Sequence, residues 1–346
     1  MGEFFFEYGL FTAKTITVLV AILAVLIIIG FIVSARARTR EQESIEIEKI
    51  NDKYDAMQEA FEEDLLSKDE IKAKQKQKAK LEKQKDKEIK KRIKEGIEEP
   101  LRPRIFVLRF TGDMSASEVD TLREAITAVL LVAQKTDEVL VTIDSSGGYV
   151  HNYGLGASQL QRIRERGIPL TASIDLVAAS GGYLMASVAN KIIAAPFAVV
   201  GSIGVLAQIP NFYRLLKKHD IDIEQHTAGE YKTTLTMFGE NTNKDREKFQ
   251  EELEDTHTLF KQFVKEHRPS LDIQKLATGE HWYGAQAVEL RLVDEIMTSD
   301  EYLLKHHPNT DLFEVKYVIQ ETLAEKISNI IHGVSMKLFR KLIRVS

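Results

Sequence analysis

The distribution of apolar and polar residues divides the chain into segments of different character, and the first is the most hydrophobic. Residues 15–34 (TITVLVAILAVLIIIGFIVS) contain no charged side chain. At about 1.5 Å per residue, a helix of this length spans about 30 Å, the thickness of the hydrocarbon core of a bilayer. Arg36, Arg38 and Arg40 follow directly, as in a stop-transfer anchor and unlike a cleaved signal peptide. The pattern predicts a transmembrane anchor over residues 1–40, with a buried core helix as the alternative.

Residues 41–100 form a highly charged segment, acidic in its first half and rich in lysine in its second. Its apolar residues are too sparse for a core, whereas Glu, Lys, Gln and Ala all favour helix. The composition predicts a charged helical stalk, solvated or partly disordered. The lysine-rich half could also contact anionic lipid or nucleic acid, but a solvated spacer is the simpler interpretation.

A third segment, from Arg104 to about residue 320, alternates short apolar runs with amphipathic ones. RIFVLRF, EVLVTID and PLTASID predict strands, and the longer segments between them have helical spacing. Strands that alternate with helices indicate βαβ units and a mostly parallel sheet. We therefore predict one α/β domain over residues 101–320.

Residues 321–346 carry apolar side chains at helical spacing and a basic cluster at the end. The apolar positions are Leu323, Ile327, Ile330, Val334 and Leu338, and the basic ones are Lys337, Arg340, Lys341 and Arg344. This pattern predicts an amphipathic basic helix. Such a helix lies on a membrane surface or packs against a partner or its own domain.

Composition narrows the chemistry that the domain could perform. The chain of 346 residues has a formal net charge of -5, which does not favour nucleic-acid binding by the whole molecule. It has no cysteine, which excludes disulfides, thiolate nucleophiles and zinc–thiolate sites. No Walker A loop is present, and we predict neither a metal nor a nucleotide cofactor.

Glycine-containing loops follow three of the predicted strands, at the strand ends where α/β proteins place their active sites. They are residues 144–148 (DSSGG), 178–183 (AASGGY) and 200–204 (VGSIG). Each alone is also explained by a tight turn or a helix cap. Ser180, however, precedes two glycines at a predicted helix start, where unpaired backbone N–H groups can stabilise a tetrahedral oxyanion. Ser180 is therefore a candidate nucleophile.

A nucleophilic serine needs a general base. None of the nine histidines lies in a recognisable triad setting, so lysine is the other option. A lysine side chain has a pKa of about 10.4 and must be buried to act as a base near neutral pH. Lys232, in the segment GEYKTTL, has few charged neighbours in the sequence. Spacing alone does not separate it from an ordinary exposed lysine.

The segments VAASGGYLMASVANKI, PFAVVGSIGV and TAGEYKTTL follow one another in this order. From about Arg104 to Thr298 the chain resembles the signal peptide peptidase family of serine proteases, which use a Ser-Lys dyad. The resemblance implies a ClpP/crotonase-like fold of repeated ββα units with a helical arm. It also implies an enzyme anchored in the bacterial inner membrane. Peptides such as signal-peptide remnants or unfolded envelope proteins would be its substrates.

The resemblance assigns roles to individual residues. It implies that Ser180 is the nucleophile, that Lys232 is the general base and that the Ser202 hydroxyl orients the lysine amine. The oxyanion hole would consist of the backbone N–H groups of Gly148 and Gly181. The family also implies a ring of subunits, most often of eight protomers. Because Lys232 lies beyond a separate helix and strand from Ser180, nothing local fixes their distance, and we expect each site to be shared between neighbouring protomers.

Three positions need comment within this resemblance. Gly147 competes with Gly148 for the first oxyanion donor. Ser146 stands where the family usually has proline, and Arg291 stands where it often has glycine. Neither difference falls on the proposed dyad, so we expect both to be compatible with activity.

Other functions remain open at the level of the sequence. The same fold hosts acyl-CoA hydratases and isomerases, and a ClpP/crotonase-fold membrane scaffold without activity is a further alternative. The membrane side is also open. The arginines after residue 35 and the lysine-rich segment favour a cytoplasmic domain by the positive-inside rule, whereas the resemblance favours the periplasm.

Overall fold

The computed structural model describes residues 2, 4, 6–19, 42–95 and 102–320. The chain divides into two compact units, one of Glu46–Lys316 and one of Met1–Ile45 with Tyr317–Ser346. Residues 6–19 are helical. Among the residues that the structure describes, no helix combines the length and the apolarity needed to cross a bilayer. From residue 20 onward the predicted span lies outside the described residues, as does the predicted basic helix over residues 321–346.

Ten strands are described. They are β1 (Gln42–Lys49), β2 (Arg104–Gly112), β3 (Glu138–Ser145), β4 (Leu170–Ile174), β5 (Val177–Ala179), β6 (Lys191–Ala194), β7 (Val199–Gly201), β8 (His281–Tyr283), β9 (Glu295–Ile296) and β10 (Asp311–Gln320). Beyond residue 41 the described helices are α1 (Ile50–Leu65), α2 (Lys68–Glu95), α3 (Val119–Val132), α4 (Val150–Glu165), α5 (Gly181–Ser187), α6 (Tyr213–Lys218), α7 (Asn243–His267), α8 (Ile273–Leu276), α9 (Gly284–Glu289) and α10 (Ser299–His306).

The strands form one sheet that branches at β3. The main path runs β1-β10-β2-β3-β4-β6-β9, while β5 pairs with both β3 and β7, and β7 pairs with β8. Every pairing whose register is described is parallel except that of β7 with β8. The branch matters for function because it brings the carboxyl ends of β3, β5 and β7 next to one another.

Continuous apolar runs explain the central strands. Val139, Leu140 and Val141 of β3 are all fully buried, so neither face of that strand meets water. Strands of parallel sheets have this pattern because helices cover both faces. Here α3 and α4 supply buried apolar stripes, including Ile126 and Leu160. The protein is thus a mixed α/β protein with a mostly parallel sheet, as predicted. It is consistent with a ClpP-like fold, and β4, β5 and α5 follow one another as a ββα unit.

The prediction of a stalk over residues 41–100 is wrong for its first part. Residues 42–49 form strand β1 at the edge of the sheet, and Ile50 lies in the core with Ile105, Leu140 and Leu312. The side chains of residues 45–49 are exposed, as their charge suggested, and the strand is placed by its backbone pairing with β10. The predicted domain start at residue 101 therefore cuts through the compact unit that begins at Glu46. The remainder, α1 and α2, is helical as predicted.

Candidate active site

The three glycine-containing loops meet at one edge of the sheet. Ser145, the last residue of β3, pairs with Ala178, and Ala179 at the end of β5 pairs with Gly201 at the end of β7. Each loop begins where its strand ends, so the loops after β3, β5 and β7 lie side by side. Clustered loops at the carboxyl ends of parallel strands are the usual location of an α/β active site.

Ser180 occupies a sharp turn between β5 and α5. Its backbone angles are φ 51° and ψ -119°, a conformation that residues other than glycine rarely adopt. The turn is fixed on both sides, since the Ser180 N–H donates to the Gly201 carbonyl at 2.8 Å and its carbonyl accepts from Leu184 N–H at 2.9 Å. A strained strand-to-helix turn that presents a half-buried serine is the geometry of a nucleophile elbow.

Two backbone N–H groups beside Ser180 are free to bind an anion. Within the described part of the chain, the N–H groups of Gly148 and Gly181 find no acceptor. The Gly147 N–H, in contrast, donates to Ser145 Oγ at 3.0 Å. A Cβ atom at Gly147, where φ is 90°, would lie 2.7 Å from the Gly181 nitrogen, so the two loops touch. This difference between neighbours favours Gly148 over Gly147 as the first oxyanion donor.

Ser202 lies directly beside the turn of Ser180. It follows β7, whose last residue pairs with the residue before Ser180, and its own φ is 52°. Its N–H donates to the Glu280 carbonyl at 2.7 Å, and its hydroxyl donates to the Gly279 carbonyl at 3.4 Å. The structure therefore brings Ser180, Ser202 and the candidate oxyanion donors together.

Lys232 makes no direct bond to this cluster within one chain, as far as the described residues show. It lies in the exposed segment between β7 and α7, and its side chain is exposed. Within the described residues its amine makes no hydrogen bond or ion pair, and none joins it to Ser180 or Ser202. Its position is set by its neighbours. Glu230 pairs with Lys244 at 2.5 Å, and the Tyr231 ring lies 5.7 Å from the amine of Lys244. These contacts tie the Lys232 loop to the start of α7.

The sequence did not indicate two buried hydroxyls beneath the glycine loops. Tyr153 on α4 is fully buried, and its hydroxyl lies 2.5 Å from Ser145 Oγ. The Tyr153 hydroxyl also donates to the Asp113 carbonyl at 2.6 Å. Burial raises the pKa of the Tyr153 phenol, so it stays a protonated donor near neutral pH. Ser145 was visible in the motif DSSGG, but nothing in the sequence connected it with Tyr153.

Comparison with known proteins defines the class. Residues 3–160 match the description "Peptidase family S49 N-terminal", and residues 162–312 match "Peptidase family S49". The chain belongs to peptidase family S49 and is a serine-type peptidase, which confirms the family resemblance drawn from its motifs.

The similarity extends to particular relatives. The chain is 49% identical, over 96% of its length and 97% of the relative, to "Probable protease SohB" of Haemophilus influenzae. It is 46% identical, over 87% of its length and 99% of the relative, to "Probable protease SohB" of Buchnera aphidicola subsp. Schlechtendalia chinensis. Within the family, the motifs of this chain resemble those of SohB most, and these matches confirm that resemblance.

Proposed function

We propose that this protein is a membrane-anchored endopeptidase in which Ser180 is the nucleophile and Lys232 the general base. The observation that carries the proposal is the Ser180 turn, which holds a half-buried serine beside the N–H groups of Gly148 and Gly181, neither of which has an acceptor among the described residues. Family membership supports peptide hydrolysis as the reaction at this turn.

The reaction follows from the chemistry of these groups. The neutral amine of Lys232 takes the proton of the Ser180 hydroxyl as the oxygen attacks the peptide carbonyl carbon. The tetrahedral oxyanion accepts hydrogen bonds from Gly148 and Gly181, and such donors are each worth roughly 3–4 kcal/mol. Collapse breaks the peptide bond, and the protonated lysine gives its proton to the leaving amine. Water, deprotonated by the same amine, then hydrolyses the acyl ester on Ser180.

The exposure of Lys232 in the protomer supports a site shared between subunits, since a base must be buried to stay neutral near pH 7. The segment that carries Lys232 exposes several large apolar side chains, including Leu206 (81% exposed), Leu215 (56%) and Ile223 (50%). Apolar surface of this kind marks an interface. We propose that a second copy of the chain covers it and that Lys232 of one subunit approaches Ser180 of its neighbour. Ser202 would then orient the incoming amine. A closed ring of eight subunits is the assembly that the family resemblance implies.

The proposed membrane anchor rests on the uncharged run over residues 15–34. The full chain should stay with the membrane after alkaline carbonate extraction. A chain beginning at Glu46, the start of the compact unit, should be released. Release of the full chain would contradict the anchor.

The side of the membrane can be measured because the chain has no cysteine of its own. Ser158 is an exposed residue on α4, and Ser158→Cys would introduce a single thiol. Labelling of intact spheroplasts by a membrane-impermeant maleimide would place the domain in the periplasm, as the resemblance implies. Labelling only after lysis would place it in the cytoplasm, as the charge distribution favours.

Covalent labelling tests the nucleophile. A fluorophosphonate probe should label the wild-type protein, and mass spectrometry should place the adduct on Ser180. Ser180→Ala should abolish labelling, whereas Ser158→Ala, which removes an exposed serine elsewhere, should not. Acyl-CoA hydratases and inactive scaffolds would not label at Ser180. An adduct on another residue, or undiminished labelling of Ser180→Ala, would contradict the proposal.

A further inference from the structure

Tyr153 and Ser145 form a hydrogen-bonded pair under the loop after β3. The two side-chain oxygens are 2.5 Å apart, and the phenol proton goes to the Asp113 carbonyl at 2.6 Å. A phenol has only one proton. The Ser145 hydroxyl therefore donates to Tyr153, in preference to the Gly112 carbonyl at 3.1 Å, and its lone pair accepts the Gly147 N–H at 3.0 Å. All the hydroxyl protons and the Gly147 N–H are thus used.

This arrangement selects which amide of the loop is free. The Gly147 N–H is held by Ser145, and the Tyr149 N–H is held by the Met114 carbonyl at 2.9 Å. The amide between them, that of Gly148, has no acceptor among the described residues. Because its two neighbours are fixed to the protein, the orientation of the Gly148 peptide is fixed as well.

The ring of Tyr153 supports the second donor. A Cβ atom at Gly181 would lie 2.3 Å from Tyr153 Cγ, so the Gly181 backbone packs directly on the ring. The ring is fully buried and also makes a T-shaped contact with the Phe110 ring at a centroid distance of 6.1 Å. One side chain therefore supports the Gly181 backbone with its ring and the loop of Gly148 with its hydroxyl.

We propose that Tyr153 and Ser145 are positioning residues of the oxyanion hole. They act through the backbone and do not touch the substrate. Ser145 occupies the Gly147 N–H and so leaves Gly148 as the donor, while Tyr153 fixes Ser145 and supports Gly181. This inference rests on the proposed function, because it assigns a purpose to the two free amides of that site.

The kinetic test uses Ser145→Ala, Tyr153→Phe and the double variant in the full-length enzyme. The substrate is a quenched fluorogenic peptide with a leucine-rich, signal-peptide-like sequence. Each single variant removes one contact that positions an oxyanion donor, and that donor acts mainly in the transition state. We therefore expect kcat to fall about tenfold while KM changes less than about twofold. Affinity for a peptide aldehyde, which forms a tetrahedral adduct on Ser180, should fall in proportion to kcat. The double variant should lose less than the product of the single losses, since both residues act on one loop.

Tyr302→Phe is the matched control. The Tyr302 hydroxyl is also buried and also makes a 2.6 Å hydrogen bond, to Glu138, in the α10 region of the domain. It should lose stability like Tyr153→Phe but keep wild-type kcat. If Ser145→Ala and Tyr153→Phe retain kcat within about twofold of wild type, as is expected of Tyr302→Phe, the positioning role is wrong.

Amide hydrogen exchange separates this inference from the proposed function, because it needs no activity. In the full chain with Ser180→Ala, adding Ser145→Ala or Tyr153→Phe should speed exchange in residues 145–149 at least about tenfold, and Tyr302→Phe should not. Faster exchange, together with a wild-type protein that shows no peptidase activity, would uphold the hydrogen-bonded pair and refute the proposed function. Unchanged exchange would refute the pair itself, even in an active enzyme.

Discussion

Ser180 and Ser202 share an uncommon backbone conformation, with φ angles of 51° and 52°. Residues with a Cβ atom lose about 1 kcal/mol or more in this region, so the fold must hold them there. Both serines lie at the ends of paired strands, and both donate their N–H to a carbonyl across the loop cluster. Backbone strain at these two neighbouring serines is consistent with a site in which Ser180 faces the substrate and Ser202 faces a general base.

Lys232 is the residue whose role can be tested most simply. Lys232→Met keeps the length of the side chain and removes the amine, so peptidase turnover should fall to the background of Ser180→Ala. Folding should be unaffected because Lys232 is exposed in the protomer. Lys218→Met, the same change at another exposed lysine of the same segment, should retain activity. Turnover of Lys232→Met above a few per cent of wild type would show that the base is elsewhere.

Arg291 has a positive φ for a different reason. Arg291 follows the end of α9 with a φ of 63°. Its N–H donates to the Val288 carbonyl and its carbonyl accepts from the Arg268 side chain, and neither bond depends on the side chain at position 291. Glycine has no Cβ atom to clash in this region, which favours the folded state, but it also gains more conformational freedom in the unfolded chain. The net effect of Arg291→Gly should be to raise the free energy of unfolding by about 0.5 kcal/mol.

A β-branched residue at position 291 should have the opposite effect on stability and serves as the control. Arg291→Val should destabilise by about 1 kcal/mol, because a branched Cβ fits this conformation poorly. Thermal unfolding of the full chain in detergent measures both variants. The reverse order of stability would contradict the conformational explanation, and neither change should alter peptidase turnover.

At the level of elements, the end of β1 from Glu46 onward and the start of α1 belong to the same compact unit as the candidate site. Asn51, at the start of α1, is buried, and its amide donates to the Thr310 carbonyl at 3.0 Å. Its side-chain oxygen accepts the Leu312 N–H at 2.7 Å. These bonds join the segment before residue 101 to β10, which lies next to β2 in the sheet.

Asn51→Ala should therefore destabilise the domain by about 2–3 kcal/mol, because it leaves buried backbone groups without partners. Asn309→Ala, at an exposed asparagine nearby, should change stability by less than about 0.5 kcal/mol. Unfolding of the full chain in urea measures both. Equal stability of the two variants would show that the contact contributes little.

The sequence predicted the mostly parallel sheet and the glycine-containing loops at its strand ends because both depend on local patterns. Apolar runs ended by glycine predict buried strands followed by tight loops, and Ser180 lies in such a loop. Strand β1 was missed because its side chains are charged or exposed, and pairing of its backbone with β10 requires no apolar pattern in the sequence. The pair formed by Ser145 and Tyr153 was missed because their contact depends on how α4 packs under the loop.

At the scale of the whole molecule, the sequence could not place Lys232 with Ser180. No local pattern sets the distance between residues on separate elements, and a single chain leaves Lys232 exposed. A base must come within about 3 Å of its serine, directly or through one water. Assembly would meet this need, bury the apolar segment around Leu206 and leave a lone protomer inactive.

Mixing two inactive variants tests the shared Ser180–Lys232 site most directly. Ser180→Ala subunits retain the lysine, and Lys232→Met subunits retain the serine. If each site joins Ser180 of one subunit to Lys232 of the next in a closed ring, random mixing at equal amounts makes about a quarter of the sites complete. The mixture, coexpressed and purified as an assembly, should then show about a quarter of wild-type turnover, while each variant alone shows none. No activity in a mixed assembly of normal mass, or full wild-type activity in a monomer at nanomolar concentration, would contradict the shared site.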